Sequence, residues 1–255
     1  MDNQLKPSIF SIRRLSKQFS SGRVALSEID LEIPAGETLV IAGANGSGKT
    51  VLMKIIMGLM EPSSGEIFFE GKPLSRSIDC LRRTAGLVFQ DADTQIIGET
   101  VAEDTALGPK NLKLPPNVVD ERVSAALKAA GLEEKYDYPA RSMSGGEKRR
   151  LAVAGILAMG CETIIMDEPF ANLDWPGVKN VLQIIIDLKN DDKTVIILTH
   201  ELEKTLAYAD RLVILSGGRI AGDGEPESVL DSLKPEYGVR DPRCSYHAVK
   251  DCSWL

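Results

Sequence analysis

The most constraining feature of this sequence is a glycine-rich segment that lies between a short apolar run and a stretch with helical periodicity. The apolar run is Thr38–Ala42, and the helical stretch covers residues 51–60. The segment between them matches the pattern GxxxxGK[ST] and consists of Gly43, Ala44, Asn45, Gly46, Ser47, Gly48, Lys49 and Thr50. This order of strand, loop and helix predicts a phosphate-binding loop in an α/β fold.

The residue types in this loop suit an anionic ligand. Glycines allow successive backbone N–H groups to turn towards phosphate oxygens, and the N-terminus of the following helix adds a partial positive charge of about 0.5 e. We expect Lys49 to contact the β- and γ-phosphates of a nucleotide, and the Thr50 hydroxyl to bind Mg²⁺. Val51, the next residue, completes the predicted nucleotide-binding segment.

A carboxylate for the same Mg²⁺ lies further along the chain. Asp167 ends the apolar, β-branched run 163–166, and Glu168 follows it directly. A second such run at 194–198 and a helical stretch at 178–188 complete the pattern of buried parallel strands joined by a helix. Because open α/β sheets bind ligands at the carboxyl ends of their strands, we expect Asp167 to lie beside the phosphate loop.

The remainder of the chain predicts additions to this core. Runs at 10–12, 29–33 and 66–69, separated by turn residues, predict short antiparallel strands. Residues from about 92 to 160 are helical in character, with an amphipathic stretch at 118–130. We expect three prolines to break the helical structure before this stretch, namely Pro109, Pro115 and Pro116. The predicted fold is an α/β P-loop NTPase core with a parallel sheet, a small antiparallel β layer and an inserted helical lobe, forming one domain over residues 1–234.

Residues 235–255 lack periodicity and are predicted to form a C-terminal tail whose role is left open. Cys244, His247 and Cys252 are potential metal ligands there. Three ligands without a CxxC pair favour a loosely ordered terminus over a metal site.

Composition excludes several classes of function. The net charge of -7 and a pI of about 5.1 disfavour nucleic acid as a partner. The longest apolar stretch, 151–161, is shorter than the roughly 20 residues that a membrane-spanning helix needs. Any association with a membrane is therefore expected to be peripheral.

A second glycine motif opens a predicted helix and consists of Ser144, Gly145, Gly146 and Glu147. A serine hydroxyl and glycine N–H groups at a helix N-terminus form another phosphate-binding surface. With this motif the sequence resembles the ABC ATPase family, whose signature is Ser-Gly-Gly-Gln; glutamate replaces the more frequent glutamine here. The resemblance covers residues 10 to about 233. It implies that the signature faces ATP bound by a second ATPase subunit, either an identical copy or a paralogue.

The resemblance also implies catalytic roles. Glu168 is the expected general base for the hydrolytic water, and Lys49 completes the phosphate contacts. Gln90 corresponds to a glutamine that senses Mg²⁺ and the attacking water, and His200 to a histidine that contacts the γ-phosphate. A lone histidine at a strand end is more often structural, which is the alternative for His200.

Two further correspondences concern binding surfaces. Asn172, Leu173 and Asp174 match a loop that passes between the subunits, and a turn before a helix is the alternative interpretation. Phe19 matches an aromatic residue that stacks on adenine. A core phenylalanine of the antiparallel layer is the alternative for that position.

One region resembles the ATPases of energy-coupling-factor transporters, through residues 89–96, 100–104, 107–112 and 152–159. This resemblance implies uptake of cobalt, nickel or a vitamin through a separate transmembrane coupling protein, with a further membrane subunit that binds the solute. Residues 91–111 are then expected to receive a coupling helix, with an ordinary lobe surface as the alternative. The expected location is the cytoplasmic face of the cell membrane.

Other ABC functions compete with this interpretation. Another type of ABC transporter remains an alternative, as does a soluble ABC ATPase of DNA maintenance. The latter class has long coiled-coil insertions, whereas only 53 residues separate Gln90 from Ser144. A regulatory module that binds ATP without hydrolysing it is disfavoured, because the chain retains Lys49, Asp167, Glu168 and His200.

Overall fold

The computed structural model describes residues 7–245 and 249, and two sheets organise this part of the chain. The antiparallel sheet has the order β2-β1-β4-β5 and comprises β1 (Ser8–Gln18), β2 (Val24–Pro34), β4 (Ser64–Phe69) and β5 (Lys72–Pro73). The larger sheet has the order β10-β9-β3-β8-β7-β6 and comprises β3 (Thr38–Ala42), β6 (Ala85–Val88), β7 (Thr163–Asp167), β8 (Thr194–Thr199), β9 (Arg211–Ser216) and β10 (Arg219–Gly224).

Helices cover both faces of the larger sheet and build a separate lobe. They are α1 (Lys49–Ile56), α2 (Leu74–Thr84), α3 (Val101–Asn111), α4 (Pro116–Ala129), α5 (Gly145–Met159), α6 (Trp175–Asn190) and α7 (Pro226–Asp231).

The larger sheet is parallel except at β10 and is buried on both faces, as the apolar runs predict. In β3, Val40 and Ala42 belong to a cluster with α5 and α6, whereas Leu39 and Ile41 belong to a cluster with α1 and the antiparallel sheet. The alternation of the side chains therefore distributes one strand between two cores. The predicted α/β class, with its parallel sheet, antiparallel layer and helical lobe, is confirmed.

Helix α5 belongs to two hydrophobic clusters at once. Leu151 and Ala154 pack with α3 and α4 in the lobe, whereas Val153 and Ile156 pack in the cluster on one face of the parallel sheet. This double burial explains the apolar character of residues 151–161. Among residues 7–245 and 249, the structure contains no helix with the length and apolarity that crossing a membrane requires.

The prediction that all three prolines interrupt the helical region was wrong for Pro109. Pro115 caps α4 and Pro116 is its first residue, but Pro109 lies inside α3, which continues to Asn111. Proline removes one backbone donor near the end of the helix. Pro109 is buried, so packing of α3 against the lobe outweighs that loss.

The helix after the phosphate loop is also shorter than the predicted stretch 51–60. Helix α1 begins at Lys49 and ends at Ile56, because Gly58 has a φ of 65° and the chain turns there. The N–H of Gly58 donates to the Ile55 carbonyl, and that of Leu59 donates to the Lys54 carbonyl.

The expectation of a loosely ordered terminus was wrong for the described part of the tail. Val239 and Val249 are buried in the cluster beside the parallel sheet, and Arg243 pairs with Asp231 at 2.7 Å and Asp241 at 2.9 Å. Apolar burial and ion pairs, which the sequence pattern does not reveal, fix this segment. His247 and Cys252 lie outside the described residues, and the predicted domain end at residue 234 stays a prediction.

Replacement of Asp104 should destabilise the lobe. Its buried Oδ1 accepts hydrogen bonds from the N–H groups of Ile97 and Gly98, both at 2.8 Å. Asp104→Ala leaves these donors without their acceptor, so we expect the free energy of unfolding in urea to fall by about 1–3 kcal/mol. The same change at the exposed Asp120 of α4 should alter it by less than about 0.5 kcal/mol. Equal values for the two variants would contradict this role.

Candidate active site

The phosphate loop connects the carboxyl end of β3 to the first residue of α1. Gly48 has a φ of 113°, and a Cβ atom there would lie 2.7 Å from the carbonyl oxygen of Ala25. A Cβ atom on Gly43 would lie 2.2 Å from the carbonyl oxygen of Leu215. Glycine is therefore required at both ends of the loop, because the backbone packs directly against β2 and β9.

Lys49 crosses this loop from the start of α1. Its side chain is buried, and Nζ donates to the carbonyl oxygens of Gly43 at 2.7 Å and Ala44 at 3.3 Å. Burial lowers the pKa of Lys49, while the nearby carboxylates of Glu168 and Asp167 oppose that shift. The ammonium group is thus fixed over the concave side of the loop, where a bound phosphate would meet it.

The predicted metal ligands lie next to each other. The Thr50 hydroxyl donates to Oδ2 of Asp167 at 3.0 Å, and Asp167 is only 2% exposed. The pKa of Asp167 is raised, because burial outweighs the opposing effect of the hydrogen bond from Thr50. A hydroxyl and a carboxylate are hard oxygen donors that fit Mg²⁺. Among the described residues, no group of three or more His, Cys, Asp or Glu side chains is placed to hold a metal ion.

Glu168 and His200 meet at the ends of two adjacent parallel strands. Oε1 of Glu168 lies 2.7 Å from Nδ1 of His200, and Oε2 accepts a hydrogen bond from the Thr199 hydroxyl at 3.0 Å. Glu168 is 6% exposed, whereas the His200 side chain is 48% exposed. The Glu168 backbone has a φ of 48°, a left-handed conformation that costs energy in a glutamate. The carboxylate is therefore oriented through both of its oxygens.

A cavity of about 380 Å³ brings together most of the predicted phosphate-loop, catalytic and metal-binding residues, although His200 is not part of its lining. Gln90, which follows β6 and is exposed, forms part of its wall. The other lining residues are Arg23, Ala25, Asn45, Gly46, Gly48, Lys49, Thr50, Val51, Asp167 and Glu168. Phe19 is half-buried beyond the end of β1, with Lys17 Nζ 5.7 Å from its ring centroid, and is not among the residues of this wall.

The signature motif forms the N-terminus of α5. Ser144 is the N-cap and accepts a hydrogen bond from the Glu147 N–H at 3.4 Å, while Glu147 accepts one from the Ser144 N–H at 2.9 Å. These reciprocal bonds form a capping box. Ser144 and Gly145 are exposed, and none of the four signature residues belongs to the described lining of the cavity.

The predicted inter-subunit loop lies beside the signature. A Cβ atom on Gly146 would lie 3.3 Å from Cδ2 of Leu173 and 3.9 Å from the carbonyl oxygen of Asn172. Asp174 caps α6 by accepting the Gly177 N–H at 3.0 Å. The two segments that were predicted to face another subunit therefore form one continuous surface.

Comparison with known proteins identifies the family of this chain. Residues 26–171 match the model of the family described as ABC transporter. The chain belongs to the ABC transporter family. The Energy-coupling factor transporter ATP-binding protein EcfA of Methanocaldococcus jannaschii is 37% identical over 243 residues, which span 93% of this chain and 87% of that protein. EcfA3 of Clostridium perfringens is 37% identical over 87% of this chain and 79% of that protein.

Solved structures agree with this placement. The structure of cbiO1 from Clostridium perfringens, described as part of the ABC transporter complex cbiONQ, has a TM-score of 0.80 and 35% identity over 91% of this chain and 93% of that one. A dimeric ATP-binding cassette in a post-hydrolysis state bound to ADP and Pi has a TM-score of 0.78 and 26% identity over 85% of this chain and 98% of that one. The predicted recognition as an ABC ATPase, which couples ATP hydrolysis to transport, is confirmed. The roles of individual site residues stay predictions.

Arg149 of this ABC ATPase is a site residue that sequence reasoning missed. Its buried guanidinium donates to the backbone carbonyl oxygens of Gln90 and Glu168. Burial lowers the pKa of Arg149, and the carboxylate of Glu168 is the main influence that opposes this shift. The only sequence signal was its place on the signature helix between two other cations, Lys148 and Arg150, which does not indicate burial.

The tail also reaches the ATPase site. The Ala44 N–H of the phosphate loop donates to the Tyr237 carbonyl oxygen at 3.3 Å. A Cβ atom on Gly238, which has a φ of 65°, would lie 2.7 Å from Cβ of Ala44. The tail therefore supports the phosphate loop from outside the cavity, which no motif in residues 235–255 indicated.

Loss of Arg149 should slow hydrolysis more than it weakens ATP binding. Arg149→Met removes the tether between Gln90 and Glu168, and small displacements of reacting groups cost up to about 100-fold in rate. We expect kcat for ATP to fall by about 10–100-fold, with a nearly unchanged Kd for ATP. Arg149→Lys preserves the charge but cannot reach both carbonyl oxygens equally well, so its kcat should be intermediate. A folded Arg149→Met variant with unaltered kcat would contradict this role.

Proposed function

We propose that this chain is the ATP-hydrolysing subunit of an energy-coupling-factor importer, acting as a dimer beneath a separate membrane coupling protein. The observation that carries the proposal is the separation of two phosphate-binding surfaces. Lys49 and Thr50 line the cavity, whereas Ser144 and Gly145 are exposed outside it. A second subunit is the natural source of the phosphate that this outer surface would bind.

These positions support a dimer. The signature of one subunit covers ATP in the cavity of the other, and the loop Asn172–Asp174 lies at the same interface. A Cβ atom on Gly145 would meet no atom within 4 Å, so an approaching phosphate has room at this point. The post-hydrolysis ATP-binding cassette to which the chain is similar is described as dimeric, which supports this arrangement. The second subunit is an identical copy or a paralogue.

The proposed chemistry uses the groups that meet at the strand ends. Glu168 accepts a proton from the attacking water, with Thr199 and His200 fixing its two oxygens. Gln90, which also lines the cavity, positions the water, and Lys49 contacts the phosphates. When bound through Thr50 and Asp167, Mg²⁺ would neutralise charge on the phosphates.

ATP drives the cycle through differential binding. It contacts both surfaces only when the two subunits are closed, and the resulting shift cannot exceed that additional affinity. Hydrolysis and loss of phosphate remove the shared ligand, so the subunits separate again. The membrane partners change conformation as the two ATPase subunits close and separate.

The coupling surface is proposed at residues 91–111, as the sequence resemblance implies. Ile97 is 72% exposed at the edge of the lobe, the largest exposed fraction among the large hydrophobic side chains that the structure describes as exposed. A cavity of about 360 Å³ lies where α2, α3 and α5 end, and it is lined by Arg82, Arg83, Gly108, Asn111, Leu112, Lys113 and Met159. The exposed apolar side chain before α3 and the cavity at the C-terminal end of α3 would both suit contact with a helix from a membrane protein.

The class of transported solute is proposed from the sequence resemblance to energy-coupling-factor ATPases. Cobalt, nickel or a vitamin is the expected class, and a further membrane subunit binds it. The names of the EcfA relatives and the description of cbiO1 support the energy-coupling-factor type. The chain then acts at the cytoplasmic face of the membrane as a peripheral protein.

Substitution of the general base tests the proposed chemistry. Glu168→Gln preserves the shape of the site but removes the proton acceptor, so ATP hydrolysis should fall by about 100-fold or more. ATP should still bind and should trap a dimer that size-exclusion chromatography with light scattering detects. Glu162→Gln, at a side chain that is 65% exposed, is the matched control and should hydrolyse ATP normally. Normal turnover in Glu168→Gln would refute the assignment.

A charge at the proposed coupling surface should weaken membrane assembly. Ile97→Asp places a carboxylate where an apolar contact is proposed, so recovery of the membrane subunits with the tagged chain should fall by about 10-fold. Leu59→Asp changes a side chain that is 54% exposed in the segment after α1 and should leave recovery unaltered. Equal recovery with both variants would place the coupling surface elsewhere.

A further inference from the structure

Glu147 places a negative charge in the signature. It lies in the first turn of α5, where the helix dipole and exposed N–H groups favour an approaching anion. A carboxylate at this position is a fixed negative charge beside the surface proposed to bind phosphate. Like charges repel, so Glu147 alone would weaken the affinity of this surface for ATP.

Lys135 lies in position to balance that charge. It ends the 3₁₀ turn Glu133–Lys135 that follows α4, and its Nζ is 2.6 Å from Oε1 of Glu147. The ammonium group also lies 4.8 Å from the ring centroid of Tyr138, a second interaction that favours this position. Both partners of the ion pair are partly exposed, at 35% for the Lys135 side chain and 22% for that of Glu147.

The two carboxylate oxygens of Glu147 have separate partners. Oε1 pairs with Lys135, whereas Oε2 accepts hydrogen bonds from the N–H of Ser144 at 2.9 Å and from its hydroxyl at 3.0 Å. Lys135 therefore sets the orientation of the carboxylate that in turn positions the signature serine. The next two cations on α5 point elsewhere, since Lys148 pairs with Asp93 and Arg149 donates to backbone carbonyls.

Protonation does not remove the charge. The hydrogen bond from Lys135, followed by that from the Ser144 backbone, holds the pKa of Glu147 at about 2. The carboxylate is thus ionised throughout the range in which a protein is folded and active. Only a nearby cation can balance it.

We propose that Lys135 is a positioning residue of the signature, which balances Glu147 and orients Ser144 so that this surface can accept the γ-phosphate of ATP bound to the second subunit. This inference rests on the proposed dimeric function. It assigns a role in ATP-dependent closure to a residue outside every motif of the sequence. Where glutamine occupies the position of Glu147, the capping box persists without the charge, so no such lysine is needed.

The test is a double-mutant cycle on ATPase activity of the full chain with its partner subunit. Lys135→Ala should raise the apparent KM for ATP by on the order of 5-fold, with a smaller change in kcat, and added salt should reduce the effect by screening the exposed charge. In the Glu147→Gln background, the same substitution should change KM by less than about 2-fold. The dependence on Glu147 is the decisive readout, because a purely structural lysine would act equally in both backgrounds.

Lys193→Ala is the matched control. It removes another lysine–glutamate pair, with Glu162 at 2.7 Å, that has no contact with the signature, and it should leave KM unaltered. If Lys135→Ala impairs folding, Lys135→Gln preserves the length of the side chain without its charge and enters the cycle instead. An unchanged KM, or an equal change in both backgrounds, would overturn the inference.

This result is distinguishable from failure of the proposed function. If Glu168→Gln traps an ATP-bound dimer but KM is insensitive to Lys135, only the role of Lys135 is wrong. If Glu168→Gln hydrolyses ATP normally, the proposed function itself is wrong.

Discussion

The hydrogen bond between Thr50 and Asp167 connects the two halves of the catalytic machinery. It joins the start of α1 to the end of β7 across 3.0 Å, and it is possible because β3 and β7 flank β8 in one parallel sheet. Glu168 and His200 lie at the same end of the sheet, where the strands have their carboxyl ends. The burial of β3, β7 and β8 on both faces stabilises these strand ends, so the hydrophobic cores determine where the charged groups lie.

Helix α5 connects the lobe to the carboxyl ends of these strands. Its apolar side chains pack into both clusters, and Arg149 donates to the backbone carbonyl oxygens of two residues that line the cavity, Gln90 and Glu168. Because Ser144 begins the same helix, a movement of the signature reaches Gln90 and Glu168 through one rigid element. This physical connection is what a coupling between the proposed partner surface of the lobe and hydrolysis requires.

The sequence was most informative where short motifs impose a backbone geometry. The glycines of the phosphate loop predicted its position between β3 and α1, and the run before Asp167 predicted a carboxylate at a strand end. Burial of Arg149 was not predictable, because three successive cations on α5 differ only in how the helix packs. The packing of the tail through Tyr237 was equally hidden, since a backbone carbonyl makes the contact with Ala44.

A structure of the ATP-bound protein would show whether ATP is bound between two subunits. We expect the γ-phosphate to contact Lys49 of one subunit and the signature residues Ser144 and Gly145 of the other. ATP enclosed entirely by one subunit, with Ser144 directed away from any second subunit, would contradict it.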